Sequence, residues 1–352
     1  MTTFIQLHLL TAYPTANLNR DDTGKPKTVT VGGASRLRVS SQSLKRAWRT
    51  SSLFEEALAG HIGTRTARIG REAAQMMVSN GVAEKNAVAW GAAIADVFGT
   101  VKKEKEPKDA LQNTETYELV HISPCERSAV QALAQRLSEE NRLPEKAELE
   151  LLRQEAMAVD IALFGRMLAS RPEHNVEAAC QVAHAFGVGE SIVEDDFFTA
   201  VDDLRKDADA AGAGHLGELG FGSALFYTYI CINRDLLLEN LNGNEVLVEK
   251  TLRALGECSL KISPSGKQNS FASRAWASWA MAEKGSEQPR SLAAAFWQPV
   301  GGQDQLSEAV KRITGLHDRM AAVYGGEKTA HVQLDARLGQ GSLSDMLDFI
   351  SA

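Results

Sequence analysis

Apolar and polar positions change period several times along the chain, and each change predicts a change of element. From Phe4 to Leu10 the chain reads FIQLHLL, with Phe4, Gln6, His8 and Leu10 on one side and Ile5, Leu7 and Leu9 on the other. A period of two with apolar groups on both faces predicts a largely buried first strand. The polar run NLNRDDTGKPKT predicts a loop. Leu37 and Val39 then alternate with Arg36, Arg38 and Ser40, which predicts a strand with one apolar and one cationic face. Ser40 or Ser41 can cap a helix continuing through SLKRAWRTSSLFEEAL. Leu44, Ala47 and Trp48 make its core stripe, and Gln42, Lys45, Arg46 and Arg49 take the remaining surface.

From about Leu53 to Leu152 the spacing is three and four. TARIGREAAQMMVSNGV, NAVAWGAAIADVFG, SAVQALAQRLSEEN and KAELELLRQEAMAV each predict a helix, and KKEKEPKD reads as a solvated linker. VDIALFGRM and AACQVAHAF then predict short strands. In the second, Cys180, Val182, His184 and Phe186 alternate, which assigns Cys180 and His184 to a core face. SALFYTYICI, dense in β-branched and aromatic residues, is the strongest strand signal. NEVLVEKTLRALGEC and DQLSEAVKRITGLHDRMAAVYG return to helix. The order predicts an α+β sheet domain carrying a large helical insertion.

The 352 residues, 44% of them hydrophobic, suffice for a sizeable core. MTTFIQLHLL has no basic n-region, and no run reaches the ~18 apolar residues of a membrane span, so a cytoplasmic protein is expected. Cys125, Cys180, Cys231 and Cys258 lie far apart without a C-x-x-C, so each reads as a small buried apolar group.

Charge is distributed unevenly. Residues 1–50 carry eight Lys and Arg against two acids, a balance of +6, which leaves −13 of the net −7 for the rest. This points to an anionic partner near the N-terminal end; the competing reading is a solvated face paired with acids elsewhere. Five cations from Arg36 to Arg49 have no acid among them and repel one another. The Ser and Gln between them add uncharged donors. That mixture suits a phosphodiester backbone, read through phosphate rather than base.

Other chemistry is sparse. GAGHLG at Gly212–Gly217 matches G-x-G-x-x-G, but a polar helix-like run precedes it and a strand follows, the reverse of a dinucleotide cradle. What remains is a Gly-rich stretch with Gly212, Gly214, Gly217, Gly220 and Gly222. His317-Asp318 stands alone on a helix. Asp202-Asp203 reads as a solvated loop or as part of a metal site. No set of nucleophile, base and oxyanion donor assembles.

NLNRDD, GGASRLRVSSQSLKRAWR, VDIALFGRM, FFTAVDDL and AGHLGELGFGSALFYTYICIN occur in this order and spacing. Together they resemble the CasC family, the backbone subunit of the type I-E CRISPR complex Cascade. The resemblance runs from about residue 4 to about residue 235, and KISPSGKQNSFASRA extends it. It implies an RRM-like (ferredoxin-like) palm formed by residues 1–57, 159–194 and 225–352, helical fingers over 58–158, and a Gly-rich β-hairpin thumb over 195–224. It also implies that copies polymerise along one CRISPR RNA beside other Cascade subunits and present the guide for pairing with target DNA. No catalysis, metal or cofactor is implied.

By position, the family's backbone contacts fall on Arg20, Ser40, Gln42, Lys45 and Arg49. Its wedge falls on Met167, and its thumb contacts on Phe197, Phe198, Thr199 and Leu216. The neighbouring Arg166 and His215, the loop residue Lys267 and the cations Arg36, Arg38 and Arg46 complete the RNA-binding candidates. Read alone, Met167 is a core gap filler. A rival function is a metal-dependent RNA nuclease of related fold with Asp202 or Asp203 as ligand. A small-molecule enzyme using the Gly-rich loop is a further rival, opposed by the inverted context.

Overall fold

The structure is a computed structural model that describes residues 2–152, 158–200, 215–325 and 329–352. In chain order its strands are β1 (Phe4–Ala16), β2 (Thr28–Val31), β3 (Ala34–Val39), β4 (Thr64–Thr66), β5 (Val120–Ile122), β6 (Cys180–Val182), β7 (Ala185–Gly187), β8 (Val193–Ala200), β9 (His215–Asn233), β10 (Trp279–Gly285) and β11 (Ala330–Asp335). Its helices are α1 (Ser41–Arg49), α2 (Ser52–Ala57), α3 (Ile69–Ser79), α4 (Glu84–Phe98), α5 (Pro124–Glu140), α6 (Val159–Phe164), α7 (Arg234–Asn240), α8 (Glu245–Lys261), α9 (Gln268–Phe271), α10 (Gln305–Tyr324) and α11 (Leu343–Ser351). The α+β class is as expected. The chain divides into two compact units, one of residues 1–54, 181–233 and 252–352, the other of residues 55–180 and 234–251.

The first unit is built on a sheet of order β11-β10-β1-β9-β7-β3-β2, with β6 and β8 also pairing β9. The described registers are antiparallel. β1 lies between β9 and β10, which is why its apolar residues are buried on both sides. Its register on β9 shifts between Tyr13 and Ala16, where Pro14 lacks the N–H a continuous ladder needs. Leu10, Tyr227, Trp279 and Met281 of the sheet pack with Leu292, Phe296 and Val300 and with Ala309 and Ile313 of α10. α8 meets α11 at Gly256, where a Cβ would stand 2.3 Å from Ile350 Cδ1.

β9 serves two structures. Residues 222–233 pair with β1, and residues 215–222 form a hairpin with β8. Gly222 stands at the junction, and a Cβ there would lie 2.8 Å from Leu37 Cδ1. The sequence reading began this strand near Phe221, because glycine weakens a strand signal; Gly217 and Gly220 are nevertheless paired.

The second unit packs α3, α4 and α5 around Ala74, Met77, Ile94, Phe98, Ala134 and Leu137. Gly70 and Gly91 let α3 and α4 cross closely: a Cβ on Gly70 would lie 2.4 Å from the Gly91 carbonyl oxygen. Two local expectations are corrected here. VDIALF forms α6 rather than a strand, because Asp160 is buried in its first turn and accepts a hydrogen bond from Gly63 N–H at 2.8 Å. A short apolar run does not by itself distinguish the two elements. KAEL is only a 3-10 turn over Lys146–Leu149, with part of the predicted helix outside the described residues. Among the cysteines, Cys125 is exposed while the other three are buried, so its reading as a core group is also corrected. Burial raises the Cys258 thiol to about 11.

Candidate nucleic-acid interface

The cationic surface starts in the loop before β2, and hydrogen bonds order that loop. Asn19 Oδ1 accepts from Ser40 N–H at 2.9 Å, Lys27 N–H donates to the Asn19 carbonyl at 2.8 Å, and Arg38 N–H donates to the Lys27 carbonyl at 2.8 Å. Asp21 closes a turn by accepting from Thr23 N–H, Thr23 Oγ1 and Lys25 N–H, with the Thr23 hydroxyl the main cause of its lowered pKa. Lys25 is paired with Asp195 at 2.9 Å. Arg20 is exposed at the bridge to Pro26.

The loop leads to the N-terminus of α1. Ser40 caps it, accepting from Ser43 N–H at 3.3 Å. The first turn holds no acid, and Arg46 and Arg49 lie in the last turn. Ser41, Leu44 and Trp48 are buried at spacings of three and four, which leaves Gln42 and Arg46 exposed and Lys45 and Arg49 half-buried. An acid-free helix N-terminus adds its own partial positive charge to the surface. The helix predicted through Leu58 breaks after Arg49. Thr50 Oγ1 donates to the Arg46 carbonyl, Ser51 Oγ donates to Trp48, and Ser51 Oγ accepts from Phe54 N–H, so hydroxyls replace the helical ladder.

These elements converge on a residue the sequence reading placed in the core. His184 is exposed in the loop between β6 and β7, and its Nδ1 accepts from the Arg38 guanidinium at 2.7 Å. Its pKa is lowered by partial burial first, and then by the charges of Arg38, Lys27 and Lys45. Three cations from the loop, β3 and α1 therefore act on one imidazole. The sequence reading singled out neither His184 nor Lys27 as a candidate for this cationic surface. Alternation had assigned His184 to a buried face, whereas β6 ends at Val182 and breaks the period. Lys27 was visible only as one charge within a loop.

Lys267 is exposed and left-handed, with φ +49° at the start of α9. Its loop lies against the chain just before Arg20, so closely that a Cβ on Gly266 would stand 2.2 Å from the Leu18 carbonyl oxygen. On the hairpin, Phe197 pairs with Glu218, Phe198 with Gly217 and Thr199 with Leu216. Phe197 is 67% exposed and Phe198 45%. Gly217 leaves room for the Phe198 ring, since a Cβ there would lie 2.3 Å from its Cζ. Thr199 is exposed. The backbones of His215 and Leu216 close the described hairpin; their side chains, and Asp202 and Asp203, lie outside the described residues.

Two candidate cations are corrected. Arg36 is fully buried, and its guanidinium donates to the carbonyls of Gly187, Val188, Val31 and Phe296. It joins strand to loop from inside and presents no charge to a ligand. Arg166 is also buried, donating to both carboxylate oxygens of Glu126 at 2.9 and 2.8 Å and to the His121 carbonyl. Glu126 is in turn half of the Ser123 capping box of α5, so this ion pair belongs to the second unit's core. Met167, next to it, is 83% exposed, which rules out the gap-filler reading and leaves an apolar side chain available for contact.

Among the described residues no group of three His, Cys, Asp or Glu could hold a metal ion, and no helix is long and apolar enough to cross a membrane. The family described as CT1975-like protein matches over residues 5–346. A chain of a solved "CRISPR RNA-guided surveillance complex, pre-nicking" is 30% identical with a TM-score of 0.85, the match covering 99% of each chain. A chain of a "CRISPR RNA-guided surveillance complex" is 25% identical with a TM-score of 0.74 and the same coverage. No match was found among curated proteins.

Proposed function

This chain belongs to the CT1975-like family, and we propose that it is a non-catalytic RNA-binding backbone subunit of a CRISPR surveillance complex. The observation that carries this reading is the convergence of Lys27, Arg38 and Lys45 on His184, beside the acid-free N-terminus of α1. Positive charge gathered there from three separate segments is complementary to a phosphate backbone. Arg20, Gln42, Arg46, Arg49 and Lys267 extend it. In this reading the sheet unit is an RRM-like palm, the helical unit is the fingers, and the β8–β9 hairpin is a thumb presenting Phe197 and Phe198. Met167 and Leu216 act as apolar wedges between bases. Repeated copies hold one CRISPR RNA together with the other subunits and leave guide segments open to target DNA.

The test is to express the chain with its neighbouring genes and examine any copurifying nucleic acid. Small RNA of uniform length, stable with magnesium, is expected. Absence of RNA from an assembled complex would refute the reading. Regular cleavage lost on Asp203→Ala would instead establish the nuclease.

A further inference from the structure

We propose that His184 is a proton-coupled positioning residue: while neutral it holds the Arg38 guanidinium, and when a polyanion fills the surface it takes up one proton and releases Arg38 to the phosphates. The proposal rests on the RNA-binding reading and adds a regulation to it.

The geometry is that of a closed tether. Arg38 Nη1 donates to Nδ1 of His184 at 2.7 Å, and only a neutral imidazole has a lone pair there to accept. The imidazole is exposed, so a proton can reach it from solvent. The charged groups acting on it are Arg38 on β3, Lys27 before β2 and Lys45 on α1; β9 meets this loop through backbone, with Ala183 N–H donating to the Tyr229 carbonyl. Partial burial and these three positive charges, with no carboxylate among the described groups acting on it, lower the His184 pKa and so favour its neutral form. Phosphates arriving at those same cations reverse the local sign, and the charged form becomes favoured. Protonation places a hydrogen on Nδ1, so His184 can no longer accept from Arg38. The guanidinium is freed as the imidazolium becomes a further cation. Proton uptake and polyanion binding then favour each other reciprocally.

Affinity of the full chain for an oligouridine, whose base does not titrate in this range, should be measured at constant ionic strength from about pH 7.5 to 5.5. The expected result is tighter binding as pH falls, approaching but not exceeding about tenfold per pH unit for one proton. His184→Gln keeps an acceptor oxygen for Arg38 but cannot titrate, and its affinity should be independent of pH. Calorimetry in two buffers of different ionisation enthalpy should find proton uptake in the wild type and none in His184→Gln. A flat wild-type profile, or an unchanged slope in His184→Gln, would overturn the coupling while leaving RNA binding in place. No oligouridine binding at any pH would overturn both.

Discussion

Two clusters in the sheet unit gather positive charge, and they differ in what stands at the centre. Around Glu283, His8 Nε2 lies at 2.9 Å, Arg290 Nη1 at 2.7 Å and His317 Nε2 at 3.5 Å. The carboxylate is fully buried, which by itself would raise its pKa, yet the hydrogen bonds from His317, His8 and Arg290 hold it below the usual carboxylate range. His8 is itself pushed toward neutrality by burial; it donates to Glu283 while Nδ1 accepts from Tyr227. Around His184 the described groups that act on the imidazole are Arg38, Lys27 and Lys45, with no carboxylate among them. The first cluster closes its charge balance internally and contributes stability. In the second, the described groups acting on the imidazole are all cations, an arrangement that suits the anion-binding role proposed for it. The same residue types are thus structural where a carboxylate is enclosed with them, and the proposed RNA-binding role falls to the cluster that gathers cations around an exposed imidazole.

The sharpest way to break this comparison is to remove the enclosed carboxylate. Glu283→Ala leaves buried donors without an acceptor and should cost about 3–5 kcal/mol in urea unfolding. A loss below about 1 kcal/mol would mean that the cluster is not structural. Next come two arginines of one strand. Arg36→Met orphans several buried carbonyls and should cost about 2–3 kcal/mol, whereas Arg38→Ala should leave stability within about 0.5 kcal/mol and weaken RNA binding. Equal stability losses would erase the distinction between inside and rim.

A smaller effect is expected from single rim cations. Lys45→Ala and Arg49→Ala should each flatten the log–log salt dependence of single-stranded RNA binding by about 0.7; unchanged slopes in both would remove them from the interface. The smallest effect concerns His317, whose pKa is raised chiefly by its hydrogen bond to Glu283. A raised folded pKa gives stabilisation that is full below the unfolded value near 6.5 and is lost as pH rises through the folded value. His317→Asn should remove that alkaline-side decline in unfolding experiments. Persistence of the decline would assign it to another group.

Local pattern carried a good part of this molecule. FIQLHLL announced a strand buried on both faces, and Ser40 followed by Leu44 and Trp48 announced a capped helix with a cationic surface. Those features rest on neighbours in sequence: the period of the side chains and the first unpaired N–H groups of a helix. The resemblance of several blocks to a known family located the hairpin aromatics and Met167 as well. The misreading of charge on β3 has a definite cause. Arg36 and Arg38 have the same parity on β3, yet one points into the carbonyls of Gly187, Val188 and Phe296, and the other stands at the edge beside His184.

Sequence by itself therefore determined the first strand, the capped helix α1, the α+β class and the concentration of positive charge between Arg20 and Arg49. It could not assign each charge to inside or rim, because strand parity distinguishes the two faces of a sheet but not the centre of a face from its border. Tertiary structure decided that Arg36 and Arg166 are enclosed, each donating to groups remote in the chain. It also brought His184 to cations 139 to 157 positions earlier in the chain, Lys27, Arg38 and Lys45. Burial and charge compensation depend on contacts between distant segments, and a period read along one segment contains no information about them.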